Sequence, residues 1–419
     1  GSMFPFILAL AVTAHAGPWE DRAKKVLTTH SSIIQPLEKT SNLAWWEANV
    51  TGKEDDYKKK VDAQNALDAK LSDPALFQEL KTLKEGATKK SDPLLKRQIE
   101  LLYLIVLEKQ VPPDVLKKIV AKSNQIEEIF NKYRAKVDGK ELTDSEVKKI
   151  LKTSLDSKQR QAAWEASKGV GASVEADLKA LVGLRNEAAK KLGYANFHAL
   201  QLYLNEQDPK QILALFDDLD ALTRKPFLEV KKEIDTRLAA QYKIAPSDLM
   251  PWHYHDPFFQ DAPSVFEANL DTVYAKADII DLCQKFYAGM GLPIQDVIQH
   301  SDLYEKKGKS PHAFCTDIDR EGDVRVLANV VPNEQWMSTM LHELGHSIYS
   351  SKNIQGLPYL LRTDAHILAT EGVAMLFQKF SKSAHWLKEM GVSVADPAAF
   401  NRAGRQLERA ELLIFSRWA

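Results

Sequence analysis

The stretch "NEQWMSTMLHELGHSIYS", Asn333 to Ser350, decides how the rest of the chain is read. Trp336, Met337, Met340, Leu341, Leu344 and Ile348 recur at three-and-four spacing, the mark of an amphipathic helix. Asn333 stands where a side chain caps the first turn. On that helix His342 and His346 lie one turn apart on one face, with roughly 6 Å between their Cβ atoms. Two imidazole nitrogens so placed reach one zinc ion at about 2.0–2.1 Å. Glu343 directly follows His342, so it points beside such an ion, where a general base for a water molecule belongs.

Two histidines on a helix arise by chance in long helical chains, so a third ligand decides the matter. Downstream lies "LPYLLRTDAHILATEGVAMLFQ" (residues 357–378). Glu371 sits there on an apolar segment, where a carboxylate is costly unless paired or metal-bound. A loop through Ser351–Pro358 lets this second helix fold back on the first. Two histidines and one glutamate leave zinc an open position, the catalytic pattern and not the closed structural one. His366 and Asp364 compete for the third place, although His366, five residues before Glu371, falls off its helical face. The reading without metal is a helical scaffold whose motif is accidental.

Immediately upstream, "SPHAFCTDIDREGDVRVLANVVPNE" (residues 310–334) carries two apolar, β-branched runs around "DREG", a β-hairpin signal in a helical chain. "DLMPWHYHDPFFQDAP" (residues 248–263) reads as an irregular packed segment. Its His253-x-His255 pair would share one face of a strand, but it lacks a third ligand nearby and reads as structural or substrate-lining.

Most of the remaining chain is amphipathic helix: residues 19–48, 54–71, 74–89 and 92–109, with Ser91 or Asp92 as cap and Pro93 in the first turn. "PPDVLKKIVAKSNQIEEIFNKYRAKV" (residues 112–137) reads as one more long helix, and the next restarts after Gly139 with Thr143 or Asp144 as cap. The 419 residues carry 56 Lys+Arg against 57 Asp+Glu, a formal net charge of −1 with no long basic run, which argues against a nucleic-acid partner. Cys283 and Cys315 are the only cysteines, too few for a disulfide framework, and read as free packing thiols. Gly1-Ser2 ahead of Met3 reads as a tag-cleavage scar. Phe4–Thr13 is apolar and Ala14-His15-Ala16 fits a cleavage site, so residues 1–16 are expected to be a secretory signal and the product to be secreted or periplasmic. No segment is long and apolar enough to span a bilayer. Asn49-Val50-Thr51 is a glycosylation sequon.

Taken together, "PHAFC", the histidine motif and the "LP…R…E" run resemble the angiotensin-converting-enzyme family of gluzincin peptidases in a bacterial-type form. The thimet oligopeptidase and oligoendopeptidase F families are related. "AWWEANVTG" (residues 44–52) and "PWHYHDPFFQ" (residues 251–260) extend the resemblance from about Trp19 to the end of the chain. It implies a mostly α, elongated, two-subdomain body with a deep central channel and a small hairpin beside the motif helix. Residues 17–155 would form a helical lid and 156–419 the catalytic region. His342, His346 and Glu371 match the ligands of one zinc ion, and Glu343 the general base. His312 and Ala313 match a strand-edge pair that holds substrate backbone, with His312 also stabilising the transition state. Chloride is a further candidate to which no residue is assigned. The implied partners are short peptides, cut to release C-terminal dipeptides or cut internally, and the favoured state is a monomer. The reading from another class is an inactive, zinc-containing peptide-binding protein.

Two departures stand out. Four residues after the third ligand, where these enzymes carry an acidic residue supporting a zinc histidine, this chain has Met375. "NRAGRQLERAELLIFSRWA" (residues 401–419) ends as an amphipathic helix, whereas relatives continue and supply a carboxylate-gripping lysine, a histidine and a tyrosine. The catalytic region is therefore expected to be incomplete at its C-terminus.

Overall fold

A computed structural model describes residues 17–266, 268–352 and 356–418. The expected secretory segment, residues 1–16, lies outside the described residues. The fold is mostly helical, and among the described residues the only strands form two antiparallel hairpins.

The long helices begin where the sequence places their caps. Asp92 accepts from the Leu95 amide ahead of Pro93–Glu108, and Thr143 and Glu146 form a reciprocal capping box ahead of Asp144–Thr153. The first helix, Pro18–Thr51, ends at Gly52 with φ 64°. A Cβ there would sit 2.1 Å from the Gly308 carbonyl oxygen. Only glycine allows both that backbone turn and that approach.

Residues 112–137 depart from the single helix expected of them. The helix spans Pro113–Lys132, and Ala135–Val137 then pairs with Lys140–Leu142. The turn between them, Asp138-Gly139, has φ of 51° and 78°. An Asp-Gly pair with both residues left-handed makes the tight hairpin turn that matches strand twist, and it overrides the helical periodicity before it. We call this the lid hairpin only because it falls within residues 17–155, the region for which the resemblance implies a lid.

Two cores result. One gathers the first four helices around Ala23, Leu27, Leu80, Leu83, Ile99 and Leu102, and includes Leu360. The larger runs through helices Pro209–Tyr242, Ile279–Gly289, Glu334–Lys352 and Pro397–Trp418. A smaller cluster joins the first helix to the second hairpin through Trp46, Val50, Phe314, Ile318 and Leu327. The sequon is inside the protein: Asn49 is buried, its amide donating to the Trp45 carbonyl and to Glu127 while its oxygen accepts from Asn131. No helix of the described residues is long and apolar enough to cross a membrane.

Candidate metal centre and active site

The second hairpin pairs Phe314–Asp317 with Val324–Leu327 and packs directly on the motif helix, Glu334–Lys352. Met337, Met340, Leu341 and Leu344 are fully buried on that helix. Each contributes about 1.5–3 kcal/mol, which fixes its rotation and turns His342 and His346 toward the opposite side. Asn333 caps it by accepting from the Trp336 amide.

The helix that returns across it, Ile367–Gln378, follows a single 3₁₀ turn at Tyr359–Leu361. A Cβ on Gly345 would stand 3.0 Å from Ala374 Cα and 3.1 Å from the Phe377 ring. The small pair Gly345 and Ala374 therefore lets the two helices close up. Glu371, one turn before Ala374, is carried to the histidines.

Three side chains meet there. His342 Nε2 lies 3.2 Å from His346 Nε2 and 3.3 Å from Glu371 Oε2, and His346 Nε2 lies 3.3 Å from Glu371 Oε1. Among the described residues this is the one group of three or more His, Cys, Asp or Glu side chains placed to share a metal ion. His342 Nδ1 contacts Gln378 Oε1 at 2.6 Å. An amide oxygen accepts only, so Nδ1 carries the proton and Nε2 presents its lone pair. Burial holds the His342 pKa below the ordinary imidazole value, which keeps the ring neutral. The His342 lone pair, the His346 ring nitrogen and the Glu371 carboxylate thus converge on one point, an arrangement that a cation satisfies. A tetrahedral ion with bonds of about 2.0–2.1 Å sets its ligands roughly 3.3–3.4 Å apart, and the observed separations of 3.2 and 3.3 Å, with one Glu371 oxygen toward each histidine, come close to that. The residues fit zinc.

Glu371 is not the buried carboxylate that its apolar surroundings imply. Its side chain is 43% exposed and faces a cavity of about 1150 Å³. His366 caps the return helix, accepting from the Leu368 amide, and Asp364 stands near His346 without joining the triangle. His253 is buried and structural, held between Ser157 and the Met250 amide. His255 lines the cavity wall and accepts from the Ser264 amide.

Glu343 is nearly buried between the motif helix and the hairpin. Burial, and then the charge of Glu371, push its pKa up to about 8, while the Cys315 amide works against the rise. His312 and Ala313 reach the same cavity at the head of the strand, and burial and then Lys148 hold the His312 pKa low. Phe314–Asp317 line the cavity along the edge that Val324–Leu327 leaves unpaired. Glu38 and Asn42 of the first helix close it from the far side. Glu38 accepts from Arg320 at 2.6 Å and from the Tyr359 hydroxyl, and the Asn42 amide donates to the Ile318 carbonyl. These contacts place the N-terminal helix over the hairpin.

The sequence leaves two of these positions unremarked. Gln378 is the one polar residue at the end of "GVAMLFQ", two turns after Glu371, and that isolation was its signal. Glu38 looks like any solvated helix charge until the hairpin is in place. The family model described as angiotensin-converting enzyme matches residues 18–399.

Proposed function

We infer the activity from one premise: this chain belongs to the angiotensin-converting enzyme family of peptidases. It is a zinc metallopeptidase. The finer reading, which the family resemblance suggests, is a peptidyl-dipeptidase acting on short peptides; the observation that carries the zinc chemistry is the grouping of His342, His346 and Glu371 with Glu343 beside it.

His342, His346 and Glu371 hold the ion. Zinc held there would supply Lewis-acid polarisation of the scissile carbonyl and acidify a water, and its charge would favour the ionised form of the Glu343 carboxyl. Glu343 takes a proton from the attacking water and returns it to the leaving amine. The free edge at His312–Asp317 pairs with an extended peptide backbone. His312, kept neutral, donates an N–H to the oxyanion that develops at the scissile carbonyl. The cavity, covered by the first helix, admits short peptides and excludes folded proteins. With residues 1–16 read as an export signal, the setting is secreted or periplasmic.

The test is product mapping by mass spectrometry on peptides of roughly 5–15 residues, each as free acid and as C-terminal amide, with and without a zinc chelator. Chelator-sensitive release of C-terminal dipeptides from the free acids alone supports the peptidyl-dipeptidase. Internal cuts indifferent to amidation make it an endo-acting oligopeptidase. Glu343→Ala is expected to keep its zinc and lose at least ~100-fold in hydrolysis. Peptide binding with zinc and no cleavage by the unaltered chain would favour the inactive binder.

A further inference from the structure

We propose that Gln378 is the positioning residue of this metal centre, and that its neutral amide holds zinc more loosely than a carboxylate in the same place would. The proposal rests on the ligand assignment above. Gln378 follows Glu371 by two turns, with Ala374 between them on the face that meets Gly345. One helix therefore delivers both a ligand and the group that orients another ligand. The 2.6 Å contact from Gln378 Oε1 to His342 Nδ1 fixes the ring's tautomer and its direction. Met375, one turn after Glu371, offers no such oxygen.

The backbone that carries this amide is itself held. The Gln378 main-chain carbonyl accepts from Ser381 Oγ, which also bonds Glu334 at 2.6 Å. Glu334 opens the motif helix and pairs with buried Lys382 at 3.1 Å, and Lys382 also pairs with Glu411 at 3.0 Å. This buried network ties the start of the motif helix to the end of the return helix, so the His342–Gln378 contact is set by two elements at once. Charge adds the second half of the argument. Glu371 is the one formal negative charge among the four groups His342, His346, Glu371 and Gln378. A hydrogen bond to an ionised acceptor is roughly twice as strong as one to a neutral amide. A carboxylate at 378 would make the imidazole a stronger donor of its lone pair, and an amide leaves it weaker.

The measurement is the apparent zinc dissociation constant of the full chain by chelator competition. The visible spectrum of the cobalt-substituted protein and the melting temperature of the metal-free protein accompany it. Gln378→Leu is expected to weaken zinc about 10–100-fold and to alter the cobalt spectrum, with the metal-free melting temperature unchanged. Gln378→Glu, of the same size, is expected to bind zinc more tightly than the unaltered chain. Zinc affinity within twofold of the unaltered chain in Gln378→Leu overturns the proposal. Should that variant fail to fold, unchanged or weaker binding in Gln378→Glu overturns it instead. Glu371→Gln separates the two levels: full zinc affinity there overturns the ligand assignment itself, whereas lost affinity there beside an unaffected Gln378→Leu overturns this proposal alone.

Discussion

The lid hairpin and the hairpin beside the motif helix are of similar size and opposite use. The first pairs three residues with three across a two-residue turn and covers one face, where Ala135 and Leu142 meet Val147, Leu151 and Ala163. Its outer face carries Lys136 and Glu141, a well-exposed pair 3.6 Å apart. The second pairs four with four, and its Val324–Leu327 strand is covered on both faces. Phe314 and Leu327 pack on Trp46 and Val50, while Val324 and Val326 pack into the main core. A one-residue slip would turn the single apolar face of the first hairpin outward, whereas the second is held by packing of Val324 and Val326 on one side and Leu327 on the other. Of the two, only the second hairpin presents a strand edge to the cavity beside the metal centre.

The strongest way to test this division acts behind the lid hairpin. Arg160 is fully buried, and its guanidinium donates only to carbonyls, those of Ile150, Ser154, Trp252, His253 and Tyr254. It also lies over the Tyr242 ring at 4.7 Å. Arg160→Met strips several buried acceptors at once and is expected to cost about 3–5 kcal/mol, read by denaturant unfolding. Zinc affinity of the fraction that remains folded should be unchanged. A loss of zinc there would mean the two regions are not independent.

Next in size is His312→Ala at the working edge. Removing one oxyanion donor is expected to lower kcat about 100-fold or more with little change in stability. An unchanged kcat would confine that edge to binding. Smaller again is Gly139→Val in the lid turn. At φ 78° a β-branched residue is strained by about 1–2 kcal/mol, so the melting temperature should fall while kcat/KM stays constant. A fall in kcat/KM measured well below the melting temperature would give the lid hairpin a part in catalysis.

The legibility of the two hairpins in the sequence follows from the same contrast. "VRVLANV" announces itself because burial on both faces demands apolar, β-branched residues, and "FCTDI" beside it reads as its partner across "DREG". "AKVDGKEL" has one buried face, so only Ala135, Val137 and Leu142 speak for it, and helical periodicity upstream drowns them out. Its one clear signal was Asp138-Gly139. The histidine pair was readable because i,i+4 spacing is a property of one helix, whereas Glu371 stands out in the sequence for a burial it does not have, since its side chain opens on the cavity. Gln378 was not readable as the group that orients His342. Its partner lies 36 positions away, and their meeting depends on how closely Gly345 lets two helices approach. The joint between Glu38, Arg320 and Tyr359 was hidden for the same reason, since sequence carries periodicity well and crossing geometry poorly.

The smallest expected effect asks whether burial on both faces also governs charge. Asp317 ends the strand of the second hairpin and accepts from the Arg320 amide. Burial, and then the neighbouring Asp319, raise its pKa from 3.8 to about 6, against the pull of that amide. A carboxyl whose folded pKa lies above its unfolded value stabilises the protein fully below the unfolded pKa, and that stability is lost as pH rises through the folded one. Between about pH 4 and pH 7 the unaltered protein should therefore lose stability relative to Asp317→Asn, which keeps the acceptor and cannot ionise. The full shift corresponds to about 3 kcal/mol. Solvent reaching the partly exposed carboxyl reduces this to about 1 kcal/mol. Urea unfolding of both proteins across this range gives the difference directly, and a difference constant with pH would show that Asp317 is as well solvated as the charges of the lid hairpin. Lys136→Gln in that hairpin is the matching control. Its ion pair is exposed, so the change should cost less than ~0.5 kcal/mol.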